Sequence, residues 1–307
     1  MARERLGILG LGLIGGSLAL ALKGKRGAPE VWGCDRRKES VRRALSAGAI
    51  ARGCTEAQLS ACDMVIVCVP VLRAVEAIRR LGPRMRPGAV LTDAGSVKSG
   101  IVREGERAAA RGAFFVGGHP IAGTEASGFS AADPSLFHGR SFIVTPTPRT
   151  DEGAILRVER IWKRAGSAVL LRMDPKVHDH VFAYVSHLPH AVAYALVHSV
   201  ATLPSRVPLG YSAGGFRDFT RIASSNPEMW KDIVLENRAE LLRALSHYRR
   251  NLALLERRIA GGDAAGLLEY FGRAKRTRDG LLSSWAGKRS SAGRFPYPAT
   301  SRSATAP

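Results

Sequence analysis

One imidazole set in a run of glycines is the most chemically suggestive feature of this 307-residue chain. The stretch is Gly117-Gly118-His119-Pro120-Ile121-Ala122-Gly123-Thr124-Glu125-Ala126-Ser127-Gly128. It is too rich in glycine for a helix and too small in side chain for a core. It reads as a loop that brings backbone and one histidine up to a ligand, with a hydroxyl and a carboxylate close behind. A surface turn carrying an incidental histidine has the same composition, and the segment alone does not choose between them.

A second signature lies near the start. Gly10-Leu11-Gly12-Leu13-Ile14-Gly15 joins a short apolar strand, Leu6–Leu9, to a helix-forming run that reaches about Lys23. The first glycine permits a tight turn, and the second lets a pyrophosphate approach the backbone. The third lets the helix pack on its strand, and the helix N-terminus at Leu13 and Ile14 then faces the phosphates. A second strand, Val31–Cys34, ends at Asp35. A carboxylate there binds ribose hydroxyls and repels a 2′-phosphate, which favours NAD over NADP. Arg36 and Arg37 follow at once and soften that preference.

These residues need a scaffold, and the apolar pattern supplies one. Residues 63–70, 89–93, 113–116, 141–144 and 168–171 are further strand candidates, alternating with helical stretches that include 152–164. Strands so uniformly apolar belong in a sheet buried on both faces. The expectation is an α/β fold, a Rossmann-like doubly wound sheet over residues 1–173. In such sheets ligands lie beyond the carboxyl ends of the strands. The Gly10 turn, Asp35, Ser96 and His119 all fall there.

After Met173 the strands stop. Asp174-Pro175 and Asn226-Pro227 each place a capping side chain before a proline at the first helical position. One helical stretch runs from there to about Leu203, followed by a Gly-rich segment at 210–215. The helix begun at Asn226 carries Leu241, Leu245, Tyr248, Leu252, Leu255 and Ile259 as a seam suited to a partner helix. Gly261-Gly262 ends it, and Asp263 caps a last helix to about Trp285. Residues 174–286 are expected to form an all-α dimerisation domain. Residues 287–307, rich in Ser, Arg, Ala and Pro, are expected to form a disordered tail.

The net charge is +20, spread along the whole length without a nucleic-acid-binding motif. Such a surface suits a small polyanion such as a dinucleotide or dicarboxylate, and no nucleic-acid partner is expected. No apolar run approaches a membrane span, and Met1-Ala2-Arg3-Glu4-Arg5 leads straight into a strand rather than a signal peptide. Cys34, Cys54, Cys62 and Cys68 contain no C-x-x-C pair and read as reduced residues of a cytoplasmic protein.

Five motifs then agree in order and spacing with one family. They are Gly10-Leu-Gly-Leu-Ile-Gly-Gly-Ser17, Asp93-Ala-Gly-Ser-Val-Lys98, Gly118-His-Pro-Ile-Ala-Gly-Thr-Glu125, Ser186-His-Leu-Pro-His190 and Gly215-Phe-Arg-Asp-Phe-Thr-Arg-Ile-Ala223. Over roughly residues 5–285 the chain resembles the prephenate, arogenate and cyclohexadienyl dehydrogenases of tyrosine biosynthesis. The resemblance implies NAD-dependent oxidative decarboxylation of prephenate, with arogenate as alternative substrate, by a homodimer. It makes His119 the catalytic base and Ser96 its hydrogen-bonding companion, although Ser96 also reads as a helix N-cap. Arg221 becomes the substrate-carboxylate ligand, and His190, Trp230, Thr124 and Gly214 become substrate contacts. His187 competes with His190 for that role. Two histidines three residues apart also resemble a metal pair, but no third ligand stands out and no metal is expected. Glu125 is left between pairing with a substrate ammonium and tying its loop to an arginine. Two rival readings remain: a hydroxyacid or imino-acid dehydrogenase, and a cofactor-binding regulator that associates with nucleic acid.

Overall fold

A computed structural model describes residues 3–109, 112–203 and 212–287. The expected tail at 288–307 and Gly210-Tyr211 of the Gly-rich segment lie outside the described residues. In chain order the first half runs β1 (Arg5–Leu9), α1 (Leu13–Leu22), β2 (Glu30–Cys34), α2 (Lys38–Ser46), β3 (Arg52–Gly53), β4 (Met64–Val67), α3 (Val71–Leu81), β5 (Val90–Asp93) and α4 (Ser99–Ala108). It continues with β6 (Phe114–Pro120), β7 (Ser141–Thr145), α5 (Glu152–Ala165) and β8 (Val169–Arg172). The eight strands form one sheet in the order β3-β2-β1-β4-β5-β6-β7-β8, parallel except between β6 and β7. The order reverses between β1 and β4, the switch point where a doubly wound sheet opens its ligand crevice.

Both faces of the sheet are covered, which explains the unbroken apolar strands. In β4, Met64 and Ile66 join one core with Leu18, Phe142 and Trp162. Val65 and Val67 face the opposite core with Ile78, Leu91 and Phe115.

The helical part begins as the caps dictate. Asp174 accepts hydrogen bonds from the amides of Lys176 and Val177 at the start of α6 (Pro175–Phe182). The expected single helix to Leu203 is interrupted: a π-helical turn at Ala183–His187 separates α6 from α7 (Leu188–Ala201). Pro189 cannot donate to the turn before it and its ring crowds that turn, so the chain widens locally. The remaining helices are α8 (Gly214–Thr220), α9 (Pro227–Glu236), α10 (Arg238–Ala260) and α11 (Ala264–Gly287). Asn226 caps α9 as expected. The helix does not, however, run unbroken to Ile259. It breaks at Asn237, whose buried amide donates to the Asp179 carbonyl at 2.8 Å and meets His187 Nδ1 at 3.0 Å. Those distant partners hold Asn237 away from the helical path.

Residues 1–245 form one compact unit, so the sheet and α6–α9 belong to the same body. That unit extends well past residue 173, where strand pattern gives way to helix pattern. The described residues from Ser246 onward, 246–287, belong to the second unit. Within it Asp263 accepts from the Gly266 amide at 2.9 Å, capping α11 as its sequence position implied.

Candidate active site

The β1–α1 turn has the glycines its geometry demands. Gly10 has φ +95°, and a Cβ there would meet the Cys68 carbonyl at 2.5 Å. At Gly15 a Cβ would lie 1.9 Å from the Gly10 carbonyl, so the helix can approach the turn only without a side chain. A Cβ on Gly12 would meet nothing within 4 Å. The packed glycines therefore flank an open one, with the amides at the α1 N-terminus free to face an anion. Asp35 is fixed beside them, its two carboxylate oxygens accepting from the Leu11 amide at 2.7 Å and the Arg37 amide at 2.8 Å. Its remaining lone pairs can take ribose hydroxyls. Gly10, Gly12, Leu13, Ile14, Gly15 and Asp35 thus form a cradle that fits a dinucleotide.

The Gly117–Gly128 stretch requires a correction. Gly117 to Pro120 are not loop. They complete β6, which pairs in parallel with β5 only as far as Val116 and then turns its last four residues to β7 in antiparallel register. His119 consequently overhangs the carboxyl edge of the parallel strands. The two glycines are required by close packing against the chain itself rather than by a ligand. A Cβ on Gly117 would meet Thr145 Oγ1 at 2.4 Å and Val102 Cγ2 at 2.6 Å, and one on Gly118 would meet Phe142 Cζ at 2.7 Å. The loop proper starts at Ile121, and Gly123, whose added Cβ would find open space, lies in it.

His119 is buried and its Nδ1 lies 2.9 Å from His178 Nε2. Burial holds its pKa well below the usual histidine range, helped by the neighbouring His178, Lys98 and His187. The imidazole is therefore neutral near pH 7. Beneath it, the fully buried Lys98 ammonium bonds to the Asp93 carboxylate and to the Gly118 carbonyl, the latter at 2.7 Å. Asp93 in turn accepts from the amides of Gly95 and Gly118. This ion pair pins the β5–α4 turn to the β6 segment that carries His119.

Ser96 occupies that turn, half-buried, but the hydrogen bond of His119 goes to His178 and not to it. Nor does Ser96 cap α4. The helix starts at Ser99, and Asp179 reaches across from α6 to accept from the amides of Lys98 at 2.7 Å and Ser99 at 2.8 Å. A carboxylate at a helix N-terminus is better matched to those amides than a hydroxyl.

The residues expected around the substrate form a second cluster. His190 stacks on Trp230 with ring centroids 3.7 Å apart, and its Nδ1 donates to the Ser186 carbonyl at 2.9 Å. Trp230 is buried with its indole Nε1 unpartnered among the described residues. His187 is also buried, packs edge-on to Trp230, and is held by Asn237. Since Asn237 donates to Nδ1, the hydrogen of a neutral His187 sits on Nε2, which likewise has no partner. The two histidines thus serve different contacts.

Arg221, at the end of α8, forms an ion pair with Glu125. The Glu125 carboxylate thereby ties its loop to a neighbouring arginine. Thr124 is exposed and its hydroxyl accepts from the Ala126 amide at 3.3 Å, holding the same loop. Gly214 lies exposed at the start of α8. Sequence reasoning missed His178, Asp179, Lys98 and Asn237. Lys98 stood inside a quoted motif, whereas His178 and Asp179 are an ordinary His-Asp pair in a helix until the fold brings α6 against β6.

A doubly wound sheet with this cradle, and a neutral buried histidine at its carboxyl edge, defines a dinucleotide-dependent oxidoreductase with a helical second part. Comparison with known proteins makes that class specific. Residues 18–171 match the family model described as prephenate dehydrogenase, nucleotide-binding domain, and residues 174–273 match prephenate dehydrogenase, dimerization domain. The chain is 36% identical to the prephenate dehydrogenase of Bacillus subtilis (strain 168), over 91% of this chain and 76% of that protein. It is equally 36% identical to the cyclohexadienyl dehydrogenase of Zymomonas mobilis, covering 90% and 95% of the two chains. The crystal structure of prephenate dehydrogenase from Aquifex aeolicus, in complex with hydroxyphenyl propionate and NAD+, superposes with a TM-score of 0.85. It is 37% identical, over 92% of this chain and 99% of that one. The chain belongs to the prephenate dehydrogenase family and is an NAD-dependent oxidoreductase.

Proposed function

We propose that the chain converts prephenate to 4-hydroxyphenylpyruvate in tyrosine biosynthesis, by NAD-dependent oxidative decarboxylation with His119 as the base. The observation that carries this is the placement of His119: neutral, buried, and overhanging the sheet edge on which the dinucleotide cradle opens.

NAD held in the Gly10–Gly15 and Asp35 cradle would supply the acceptor for a hydride from the ring carbon that bears the 4-hydroxyl. Loss of the hydride leaves that carbon electron-poor and its hydroxyl acidic, so a neutral imidazole can take the proton near pH 7 as the C–O bond gains carbonyl character. Assistance of this kind is worth roughly 10²–10⁴-fold in rate. The ring carboxylate leaves as carbon dioxide, with its bonding pair restoring the aromatic ring. Arg221 offers a planar guanidinium that can grip a carboxylate through two bonds once it is released by Glu125. The stacked His190–Trp230 pair forms a wall for the substrate, with the unpartnered Trp230 Nε1 and His187 Nε2 as donors at its buried side. Ser96, Thr124 and Gly214 line the approaches from the β5–α4 turn, the His119 loop and α8.

Prephenate is the substrate proposed and arogenate the alternative, because Glu125, the carboxylate suited to an ammonium group, is paired with Arg221 before substrate binds and is freed when Arg221 turns to the substrate. The dimerisation model over the helical region supports a homodimer. No helix among the described residues is long and apolar enough to cross a membrane, which fits the cytoplasmic setting proposed here. The deciding experiment is kcat/KM for prephenate and arogenate, each with NAD and NADP. Turnover of neither substrate would overturn the function.

A further inference from the structure

Three buried side chains form a line behind His119. Its Nδ1 lies 2.9 Å from His178 Nε2, and His178 Nδ1 lies 2.9 Å from Asp179 Oδ1. None of the three is more than 8% exposed. Phe182 stacks on His178 at 4.4 Å and packs against His119 at 4.9 Å, fixing both ring planes.

The hydrogens along this line follow from the far end. Asp179 already accepts from two backbone amides, those of Lys98 and Ser99. Burial alone would raise its pKa, but the bonds from His178, Ser99 and Lys98 outweigh that and hold the carboxyl below its usual range. An ionised Asp179 can only accept, so the hydrogen on His178 sits on Nδ1. A neutral His178 then has a bare Nε2 that must accept, and the hydrogen between the two rings belongs to His119 Nδ1. His119 is left with its lone pair on Nε2.

We infer that His178 and Asp179 are positioning residues that lock His119 in the tautomer whose Nε2 is the base. The inference rests on His119 being the base. In the step itself the substrate O–H bond breaks, a new N–H bond forms at Nε2, and the electron pair stays on the substrate oxygen. The Nδ1 hydrogen remains on His119, and its bond to His178 strengthens as the ring becomes cationic, with Asp179 balancing the charge through His178.

The other charged and titratable groups facing this line do not reverse the assignment. Lys98, below His119, is matched by Asp93. His187 is held with Nδ1 as acceptor by Asn237 and carries no charge near neutral pH, its pKa being lowered to about 4.

Nitrogen NMR of histidine-labelled protein reads the tautomer without turnover. The expected result in the wild type is hydrogen on Nδ1 of His119 and none on Nε2. Hydrogen on Nε2 would overturn the inference. Asp179→Asn should invert both rings, because an amide can donate to His178 Nδ1, and kcat should fall by on the order of 10²-fold or more with NAD binding retained. Asp179 also caps α4, so two variants at His178 keep the test independent of that cap. His178→Phe removes the acceptor and should lower kcat comparably while moving the acid limb of kcat/KM to lower pH. His178→Gln offers an acceptor oxygen and should recover part of the loss. Equal kcat in wild type and His178→Phe, with the acid limb unmoved, would sink the positioning role. Failure of the parent reading looks different: His119→Asn would keep its turnover whatever the wild-type tautomer.

Discussion

Arg221 and Glu125, 96 residues apart in the chain, meet as an ion pair at the edge of the substrate cluster. The arginine proposed to bind the substrate carboxylate is therefore engaged before substrate arrives. The arginine side chain is 64% exposed and the glutamate 32%, so the pair is worth no more than about 1 kcal/mol. Competition with it costs the substrate at most about fivefold in affinity. Glu125→Gln is accordingly expected to leave kcat within a few-fold and to lower the KM for prephenate slightly. Arg221→Gln removes the grip itself and should raise KM by about 10–100-fold, with less effect on kcat. An unchanged KM in the arginine variant would exclude it as a carboxylate ligand.

For His119→Asn, the expected loss is in kcat, by roughly 10²–10⁴-fold, with NAD affinity unchanged. Asparagine keeps the polarity of the position and can still bond to His178, but it cannot take a proton near pH 7. Dinucleotide titration followed by steady-state kinetics separates the two quantities.

The β1–α1 turn permits a sharper dissociation between fold and cofactor. An added methyl at Gly12 meets nothing within 4 Å, whereas at Gly15 it would fall 1.9 Å from the Gly10 carbonyl. Gly12→Ala should therefore keep the wild-type Tm while weakening NAD at least tenfold, since the methyl occupies the dinucleotide's approach. Gly15→Ala should lower Tm as well, because helix and turn must separate. Thermal denaturation with and without NAD distinguishes them, and a Gly12→Ala protein with native NAD affinity would disprove the cradle.

Strand runs, caps and the glycine turn were legible in the sequence because each is a local pattern with a local physical cause. Asp174 and Asn226 announce their helices within three residues, and the apolar run of β4 announces a strand covered on both faces. The identity of His119 was legible from its motif, but its setting was not. Glycines at 117 and 118 look like a loop until the strands beside them are known, and only Thr145, Val102 and Phe142 reveal that they serve packing. The support of His119 was equally hidden. His178 and Asp179 matter because α6 docks on β6 and α4, and no periodicity encodes that contact. The break at Asn237 has the same origin, since its partners Asp179 and His187 are at least 50 residues away.

The apolar seam on α10 carries a prediction about assembly. Tyr248 is 37%, Leu252 48% and Ile259 61% exposed. Leu252, Leu255, Ile259 and Ala260 line a shallow apolar groove with Glu256. In a homodimer built through this helical region that stripe is covered. Leu252→Glu combined with Ile259→Glu should shift the protein toward monomer in sedimentation equilibrium, while the sheet's cofactor affinity is preserved. A dimer constant equal to wild type would place the interface elsewhere.

Stability should fall as the medium is acidified, and the direction follows from the buried histidines. His119, His178 and His187 all have folded pKa values below the ordinary 6.5, chiefly through burial, His187 reaching about 4. A group whose folded pKa is depressed binds its proton more readily when unfolded. Its contribution is complete above pH 6.5 and is lost as pH falls toward the folded value. His187 alone accounts for about 3 kcal/mol between pH 6.5 and 4 at 1.36 kcal/mol per pKa shift of one. Asp179, depressed below 3.8, adds a further loss only at pH values below that. Denaturant unfolding should therefore show a plateau above pH 7 and a steep decline from about pH 6 to 4. His187→Gln should flatten part of that decline at the cost of stability at neutral pH. A stability constant from pH 7 to pH 4 in the wild type would mean that these imidazoles are solvated and not buried as described.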